Sequence, residues 1–216
     1  MFTQILIASN IVIFSIFNVL LGKDSCGEPW SIMCVNDDFL YTFAQVNHLV
    51  VSGENVYQLF TSIFVHAFFL HLLWNMLSLW YLGRQLEKYS GSALFLTIFL
   101  SSGIVANIAS LSLGPATIAG ASGAVFGLVG AYVTKVRNIR GIIPAVMFAI
   151  LIHTPLLLGA KVNVLGHVAG FVVGIAIMLM RSTDATKLSF TANYRNNHNN
   201  NRNPNNEIWQ AAGKES

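Results

Sequence analysis

Four polar residues lie in apolar surroundings, and their types suit acyl-transfer chemistry. Ser122 lies between small residues in GASGAVFG, residues 120–127, and His167 lies in another apolar segment. His71 and Asn75 are four residues apart in a third apolar segment. A serine hydroxyl is a weak nucleophile until a base removes its proton, and neutral imidazole does this near neutral pH. The sequence therefore predicts Ser122 as a nucleophile and His167 as its base.

An acyl-transfer site also needs donors for the negative charge that develops on the carbonyl oxygen. Ser122 is predicted at the start of a helix, where free N–H groups and the helix dipole favour an anion. With the Ser122 backbone, an amide from Asn75 and a ring N–H from His71 would complete an oxyanion hole. Phe126, one turn after Ser122, can support the imidazole of His167. The alternatives are close packing for Ser122 and interhelical hydrogen bonding for His71 and Asn75.

No acidic side chain accompanies these residues. All nine Asp and Glu residues fall outside the long apolar segments of the sequence. Their positions exclude a paired-aspartate mechanism, a zinc site with a glutamate base and an intramembrane carboxylate relay. Neither a CxxC nor an HExxH motif occurs in the sequence. We therefore expect a Ser–His dyad that uses no metal and no cofactor.

The segments that hold these residues are apolar enough for a bilayer. The chain is 54% hydrophobic and 10% charged, whereas a soluble domain carries about 25% charged residues. About 20 apolar residues cross a bilayer as a helix. The sequence therefore predicts an all-α membrane protein whose domain, residues 1–182, is a six-helix bundle. The predicted transmembrane helices cover approximately residues 4–22, 57–82, 92–113, 118–134, 141–159 and 162–180.

Basic residues orient the predicted bundle. Ten of the 12 Lys and Arg residues fall on one side of the predicted spans. The positive-inside rule then places both termini in the cytoplasm and the loop 23–56 outside. Cys26 and Cys34 in that loop can form a disulfide or remain separate thiols. The Asn-rich tail, residues 183–216, has too little apolar content to fold, and we expect it to be disordered. No basic cluster suggests nucleic-acid binding.

Depth and glycine spacing predict that Ser122 and His167 meet. Counting 1.5 Å per residue from the cytoplasmic charges places Ser122, His71 and His167 about 20 Å above them. His153 reaches the same level but lacks flanking glycines, so we interpret it as a core or substrate-facing residue. Small residues every four positions let two helices approach closely. They are Gly123 and Gly127 in the fourth span, and Gly166, Gly170 and Gly174 in the sixth.

The segment before Ser122 predicts access for water. Residues 112–120, SLGPATIAG, contain Gly114, Pro115 and Gly120, which suits a loop that dips into the membrane. Irregular backbone at membrane depth is tolerated around protein-lined or water-filled cavities. We therefore expect a wet pocket that opens toward the outside.

Three motifs, in this order and on these predicted helices, resemble those of the rhomboid intramembrane serine proteases. They are HAFFLHLLWNM from His66, GASG around Ser122 and HVAGFVVG from His167. The segment YLGRQLEKYSGS, residues 81–92, resembles the connection between the second and third helices of that family. The resemblance covers roughly residues 57–180 and is closest to the basal six-helix prokaryotic form.

The resemblance implies specific roles. Ser122 would be the nucleophile and His167 the general base, while Asn75, His71 and the Ser122 N–H would form the oxyanion hole. His66 would lie near the outer mouth of the site. Gly120 would line the substrate site. The implied substrates are transmembrane helices of other proteins, cut near the outer face of the cell membrane at small residues.

Three features depart from the family pattern, and two other functions stay open. Gly166 stands where alanine is common, Phe126 stands where many members have tyrosine, and loop 23–56 lacks the Trp-Arg signature of many relatives. One alternative is a catalytically silent rhomboid-like protein that binds membrane clients. The other is a small transporter or channel that uses the polar residues, and the absence of intramembrane acids and of an internal repeat argues against it. The sequence leaves the oligomeric state open.

Overall fold

The fold is mostly helical in a computed structural model that describes residues 1–20, 33–136, 139–152 and 162–181. Its helices are α1 (Phe2–Leu20), α2 (Asp37–Phe43), α3 (Asn47–Val51), α4 (Gln58–Thr61), α5 (Phe69–Ser78), α6 (Arg84–Ser90), α7 (Ser92–Ser110), α8 (Ser122–Lys135), α9 (Ile139–Ile152) and α10 (Val164–Arg181). Short 3-10 turns, Ser62–Phe64 and Leu111–Leu113, follow α4 and α7, and a π-helical turn, Leu79–Gly83, joins α5 to α6.

The chain divides into two compact units, Met1–Ile177 and Met178–Ser216. The second unit is described only at Met178–Arg181, where it is helical. The predicted Asn-rich tail, residues 183–216, lies outside the described residues, as do His153 and the end of the fifth predicted span. Cys34 is bonded in a disulfide, and Cys26, the partner that the sequence suggests, also lies outside them.

Two of the described helices are long and apolar enough to cross a membrane. They are Ser92–Leu113 and Val164–Arg181, and they coincide with the third and sixth predicted spans. Phe2–Asn18 and Ile142–Leu151 are shorter apolar helices. The architecture is therefore that of a mostly helical membrane protein. The count of six spans and the cytoplasmic position of the termini stay predictions.

The second and fourth predicted helices begin later than the sequence pattern indicates. Instead of one helix over 57–82, the backbone is extended at Val65 and Phe68, and α5 begins at Phe69. The reason is pairing with the segment before α2, because the Val35 N–H donates to the Ala67 carbonyl at 2.9 Å. A backbone carbonyl that accepts a hydrogen bond from another segment has its partner without forming a helix.

A two-stranded sheet, absent from the predicted all-α fold, explains the later start of the fourth helix. Strand β1 (Gln45–Val46) pairs antiparallel with β2 (Thr117–Ile118). Buried amides hold β1 and its neighbours on the end of α7. The Gln45 Nε2 donates to the Asn107 carbonyl at 3.0 Å, and the Asn47 Nδ2 donates to the Ser110 carbonyl at 2.8 Å. The segment that contains β1 is thereby fixed beside the strand that leads to Ser122.

The core of the first unit includes the contact between α7 and α8, where the helices pack together. Phe95, Ile98 and Phe99 of α7 and Val125 and Leu128 of α8 have no exposed surface. Side chains packed this closely gain dispersion contacts with one another, which favour association of the two helices. Since Ser122 is the first residue of α8, this core anchors the helix that carries it.

A buried carboxylate anchors the first helix. Glu87 of α6 accepts hydrogen bonds from the Phe2 N–H at 2.7 Å and from the Thr3 hydroxyl at 2.8 Å. It also accepts one from the Ser92 hydroxyl at 2.7 Å. Burial alone would raise the pKa of Glu87, but the hydrogen bonds from Ser92, Thr3 and Phe2 outweigh it and lower the pKa from 4.5 to about 2. Glu87 thus caps the start of α1 as an anion.

Glu87→Gln is expected to destabilise the protein at neutral pH and to weaken its acid sensitivity. A carboxylate with a lowered pKa stabilises the fold above its unfolded pKa, and this stabilisation is lost as the pH falls from about 4.5 through about 2. The shift corresponds to roughly 3 kcal/mol. Thermal unfolding in detergent between pH 7 and pH 2 measures it. Glu54→Gln, at an exposed position, is the control, and equal behaviour of the two variants would contradict the interpretation.

Candidate active site

Ser122 is presented by a tight turn at the start of α8. Gly120 has φ +115°, a backbone conformation that L side chains rarely adopt. The Gly120 N–H donates to the Ser62 carbonyl at 2.9 Å, which ties the turn to the segment after α4. As the first residue of the helix, Ser122 is surrounded by first-turn N–H groups that have no intrahelical acceptor. These groups can donate to an anion at the serine.

The buried His66 side chain contacts the turn that precedes Ser122. Its Nε2 accepts a hydrogen bond from the Ala121 N–H at 3.3 Å, and the side chain is only 2% exposed. The sequence predicted His66 near the outer mouth of the site. The structure instead buries it next to the residue that precedes Ser122, and it does not appear among the described residues that line the cavity. Its contact holds the turn that precedes Ser122.

Ser122 and His167 are in direct contact. The Ser122 Oγ lies 2.8 Å from the His167 Nε2, although the residues are 45 positions apart in the chain. Both are buried, with 9% of Ser122 and 4% of His167 exposed. With Nε2 unprotonated, the hydroxyl donates to the imidazole, which is the geometry in which a base can remove its proton.

The ring of Phe126 supports the imidazole. The ring centroids of Phe126 and His167 are 4.4 Å apart and their planes differ by 8°, so the rings are stacked. Phe126 lies one turn after Ser122 in α8, on the face that meets α10. The stack restricts rotation of the imidazole out of its plane, which favours the orientation that faces Ser122.

Glycines allow the contact by letting the backbones of α8 and α10 touch. A Cβ on Gly170 would overlap the carbonyl oxygen of Gly123, and a Cβ on Gly174 would overlap that of Gly127. Because these neighbours are backbone atoms, neither could move aside without separating the helices. Gly166 serves a different contact, since a Cβ there would lie 2.9 Å from both the Asn163 Cγ and the Ser110 Oγ.

His71 lies across the turn from the dyad. Its ring packs on Gly120, where a Cβ would be 2.5 Å from the His71 Nε2. It also meets His66 edge-to-face at a centroid distance of 5.0 Å. His71 lines the same cavity as Ser122 and His167. The structure therefore brings this ring into the same cavity lining as Ser122 and His167.

Asn75 is oriented differently from the sequence-based expectation. Its Nδ2 donates to the His71 carbonyl at 2.8 Å, within α5, and its Oδ1 is buried without a hydrogen-bond partner. Among the described residues no hydrogen bond joins Asn75 to Ser122. An amide nitrogen carries two protons, so one donor of Asn75 remains for another acceptor.

A cavity of about 840 Å³ contains the site. The residues that it shares with the predicted site are His71, Gly120, Ser122, Gly123 and His167. The sequence did not single out its other walls, because most of them lie in the short elements α2, β1, α3 and β2, which only tertiary pairing brings to Ser122. These walls include Leu40, Tyr41, Val46, His48, Thr117, Ile118 and Asn163. The volume is ample for an extended peptide segment and water.

The part of the chain that contains Ser122 and His167 is similar to known proteins. The Rhomboid domain family matches residues 53–183, which is more than half of the chain. The chain is 37% identical over 131 residues to a protein named Rhomboid protease GluP of Bacillus subtilis, covering 60% of this chain and 24% of that protein.

Two further relatives are similarly named. Putative rhomboid protease YdcA of Bacillus subtilis is 31% identical over 144 residues, covering 62% of this chain and 71% of that protein. Rhomboid protease GlpG of Salmonella paratyphi A is 29% identical over 141 residues, covering 61% and 51%. The chain thus spans about a quarter of the length of GluP and about half of the length of GlpG.

Gly170→Ala is expected to destabilise the protein by about 1–3 kcal/mol, because the new methyl group overlaps the Gly123 carbonyl and forces α8 and α10 apart. Thermal unfolding in detergent measures the effect. Ala176→Val adds more volume to the same helix at an exposed position and is expected to leave the midpoint unchanged. Wild-type stability of Gly170→Ala would show that the two backbones are not in contact.

Proposed function

The chain belongs to the rhomboid family, and from this premise we propose that it is an intramembrane serine endopeptidase. It would hydrolyse peptide bonds in or near transmembrane segments of other membrane proteins, with Ser122 and His167 as a dyad. The observation that carries the proposal is the 2.8 Å contact between the Ser122 Oγ and the His167 Nε2 beside a large cavity. The names of the relatives, which call them rhomboid proteases, support it.

Acylation follows from the contact of the dyad. The His167 Nε2 takes the hydroxyl proton as the Ser122 Oγ attacks the carbonyl carbon of the scissile bond. When the tetrahedral intermediate collapses, the C–N bond breaks and the imidazolium returns this proton to the leaving nitrogen. The released amine leaves an ester on Ser122. Water then attacks this ester while His167 takes its proton. The bond from the acyl carbon to the Ser122 Oγ breaks, and the imidazolium returns the proton to this oxygen as the acid is released.

The negative oxygen of each intermediate needs donors near Ser122. The backbone N–H of Ser122, at the first position of α8, is one. A ring N–H of His71, which lines the cavity, is a second, and the remaining N–H of Asn75 is a third. Gly120 leaves open the space in front of the His71 ring. Fixed donors of this kind stabilise a developing oxyanion without reorganising water.

The proposed enzyme crosses the cell membrane six times, with both termini in the cytoplasm and the cavity open to the outside. This arrangement lets water enter from the exterior while substrate helices approach through the bilayer. The cavity walls from α2, β1 and α3, all in the predicted outer loop, support this orientation. The substrate class is single-span or multi-span membrane proteins whose helices unwind near the outer face. The chemistry requires no cofactor.

A catalytically silent client-binding protein is the alternative. Such a protein has no need of a serine held 2.8 Å from an imidazole, with that imidazole stacked on an aromatic ring. The contact therefore favours catalysis. Loss of either member of the pair separates the two functions experimentally.

Ser122→Ala is expected to abolish labelling by a fluorophosphonate probe in detergent, and His167→Ala is expected to reduce it sharply, because the serine is then unactivated. Cleavage of a panel of single-span membrane proteins should disappear in both. Ser112→Ala, at an exposed serine, is the matched control and should label like the wild type. Labelling that persists in Ser122→Ala would exclude the proposed protease.

Asn75→Ala is expected to reduce kcat by on the order of 100-fold, the usual loss for one oxyanion donor. Asn10→Ala is a matched control. Both asparagines are 0% exposed, both donate to the carbonyl four residues earlier, and both have an unpartnered Oδ1. The two substitutions should therefore change stability alike but activity differently. Unchanged kcat in Asn75→Ala would remove this residue from the oxyanion hole.

A further inference from the structure

The helix that carries His167 begins at an asparagine cap. Asn163 immediately precedes α10, and its Oδ1 accepts the Gly166 N–H at 2.9 Å. Its backbone carbonyl accepts the His167 N–H at 3.1 Å. A side-chain oxygen at this position satisfies one of the N–H groups that a helix start leaves without a partner. The cap therefore orders the single turn between Asn163 and His167.

The same amide also ties α10 to α7. The Asn163 Nδ2 donates to the Ser110 Oγ at 2.5 Å, and this hydroxyl donates to the Ala106 carbonyl at 2.6 Å. Ser110 is 0% exposed and is the last residue of α7. One side chain thus connects the start of the His167 helix to the end of a neighbouring helix.

The far end of this connection lies beside Ser122. α7 packs against α8, and a Cβ on Gly123 would lie 2.5 Å from the Cβ of Ala106. Ala106 is also the residue whose carbonyl receives the Ser110 hydroxyl. The same turn of α7 therefore contacts the surroundings of both Ser122 and His167. It packs closely against Gly123, next to Ser122, and it is linked to the start of the His167 helix through Asn163.

Gly166 provides the space for the amide. A Cβ at Gly166 would lie 2.9 Å from the Asn163 Cγ and 2.9 Å from the Ser110 Oγ. Any side chain there would displace the amide from its cap or from Ser110. The absence of a side chain at Gly166 is thus part of the same arrangement.

We propose that Asn163 is a positioning residue for the general base, acting through the first turn of α10. The proposal rests on the proposed protease function. The stack on Phe126 restricts tilting of the imidazole, but stacked rings can slide past each other. The two hydrogen bonds of the Asn163 side chain prevent that sliding by fixing the helix start. They hold the His167 Nε2 within reach of the Ser122 Oγ.

Asn163→Ala removes both contacts. We expect kcat and the rate of fluorophosphonate labelling to fall by roughly 10-fold to 100-fold, since a displacement of about 1 Å has effects of that size. KM should change little. Asn10→Ala is the control, because the fully buried Asn10 side chain donates to the Leu6 carbonyl within α1 at 2.7 Å and is not among the described residues that line the cavity. α1 carries neither Ser122 nor His167, so the labelling rate of Asn10→Ala should equal that of the wild type.

Two conservative variants test the separate contacts. Asn163→Asp keeps the cap acceptor, and its second oxygen can accept the Ser110 hydroxyl, so the labelling rate should recover to within about threefold of the wild type. Ser110→Ala keeps the cap but removes the tie to α7, and an intermediate rate is expected. If Asn163→Ala fails to fold, these two variants decide the question.

The outcomes separate the two proposals. Wild-type labelling of Asn163→Ala, or an equal fall in Asn10→Ala, overturns the positioning role while Ser122→Ala remains inactive. No rescue in Asn163→Asp, with wild-type labelling of Ser110→Ala, overturns it as well. Persistent labelling of Ser122→Ala refutes the protease itself, whatever Asn163 does.

Discussion

The site depends on the close backbone contact between α8 and α10. Gly123 and Gly127 on one helix meet Gly170 and Gly174 on the other, with no side chain between them. At this separation the hydroxyl of Ser122 reaches the imidazole of His167. The helix packing therefore also sets the distance between the Ser122 Oγ and the His167 Nε2. A methyl group on Gly170 or Gly174 would push the two helices apart and lengthen that distance. Dispersion and close approach of this kind are the main forces available between helices in a bilayer.

Hydrogen bonds from amide side chains fix much of the remaining backbone around the site. Around the site the backbone leaves helical geometry, and its carbonyls and N–H groups need partners that helices do not supply. Gln45, Asn47 and Asn107 provide them by donating to carbonyls of other elements. Asn163 accepts the Gly166 N–H at the start of α10. Neutral amides make such bonds without the desolvation penalty of burying charge. The buried Glu87 lies away from this region, at the start of α1.

A dyad without an acid relies on geometry to orient its base. In a Ser–His–Asp triad the carboxylate holds the imidazole in place. On the proposed mechanism the stack with Phe126 and the cap at Asn163 supply orientation in its stead, and His66 holds the turn that presents the serine. The rhomboid match over residues 53–183 includes these elements. The outer wall of the cavity, from α2 and β1, lies before it in the chain.

Local patterns in the sequence were enough to identify the apolar helices, the glycine spacing and the candidate residues Ser122, His71 and His167. Such patterns succeed because periodicity and motif spacing depend on residues a few positions apart. Tertiary structure alone decided where α5 and α8 begin, that β1 pairs with β2, that His66 lies behind the turn and that Asn163 contacts Ser110. Each of these outcomes depends on partners distant in the chain, such as Asn163 and Ser110, 53 positions apart. Only folding brings such groups within hydrogen-bond distance. The residues next to Asn163 in the sequence do not indicate that Ser110 is its partner, and the residues next to Ser110 do not indicate Asn163.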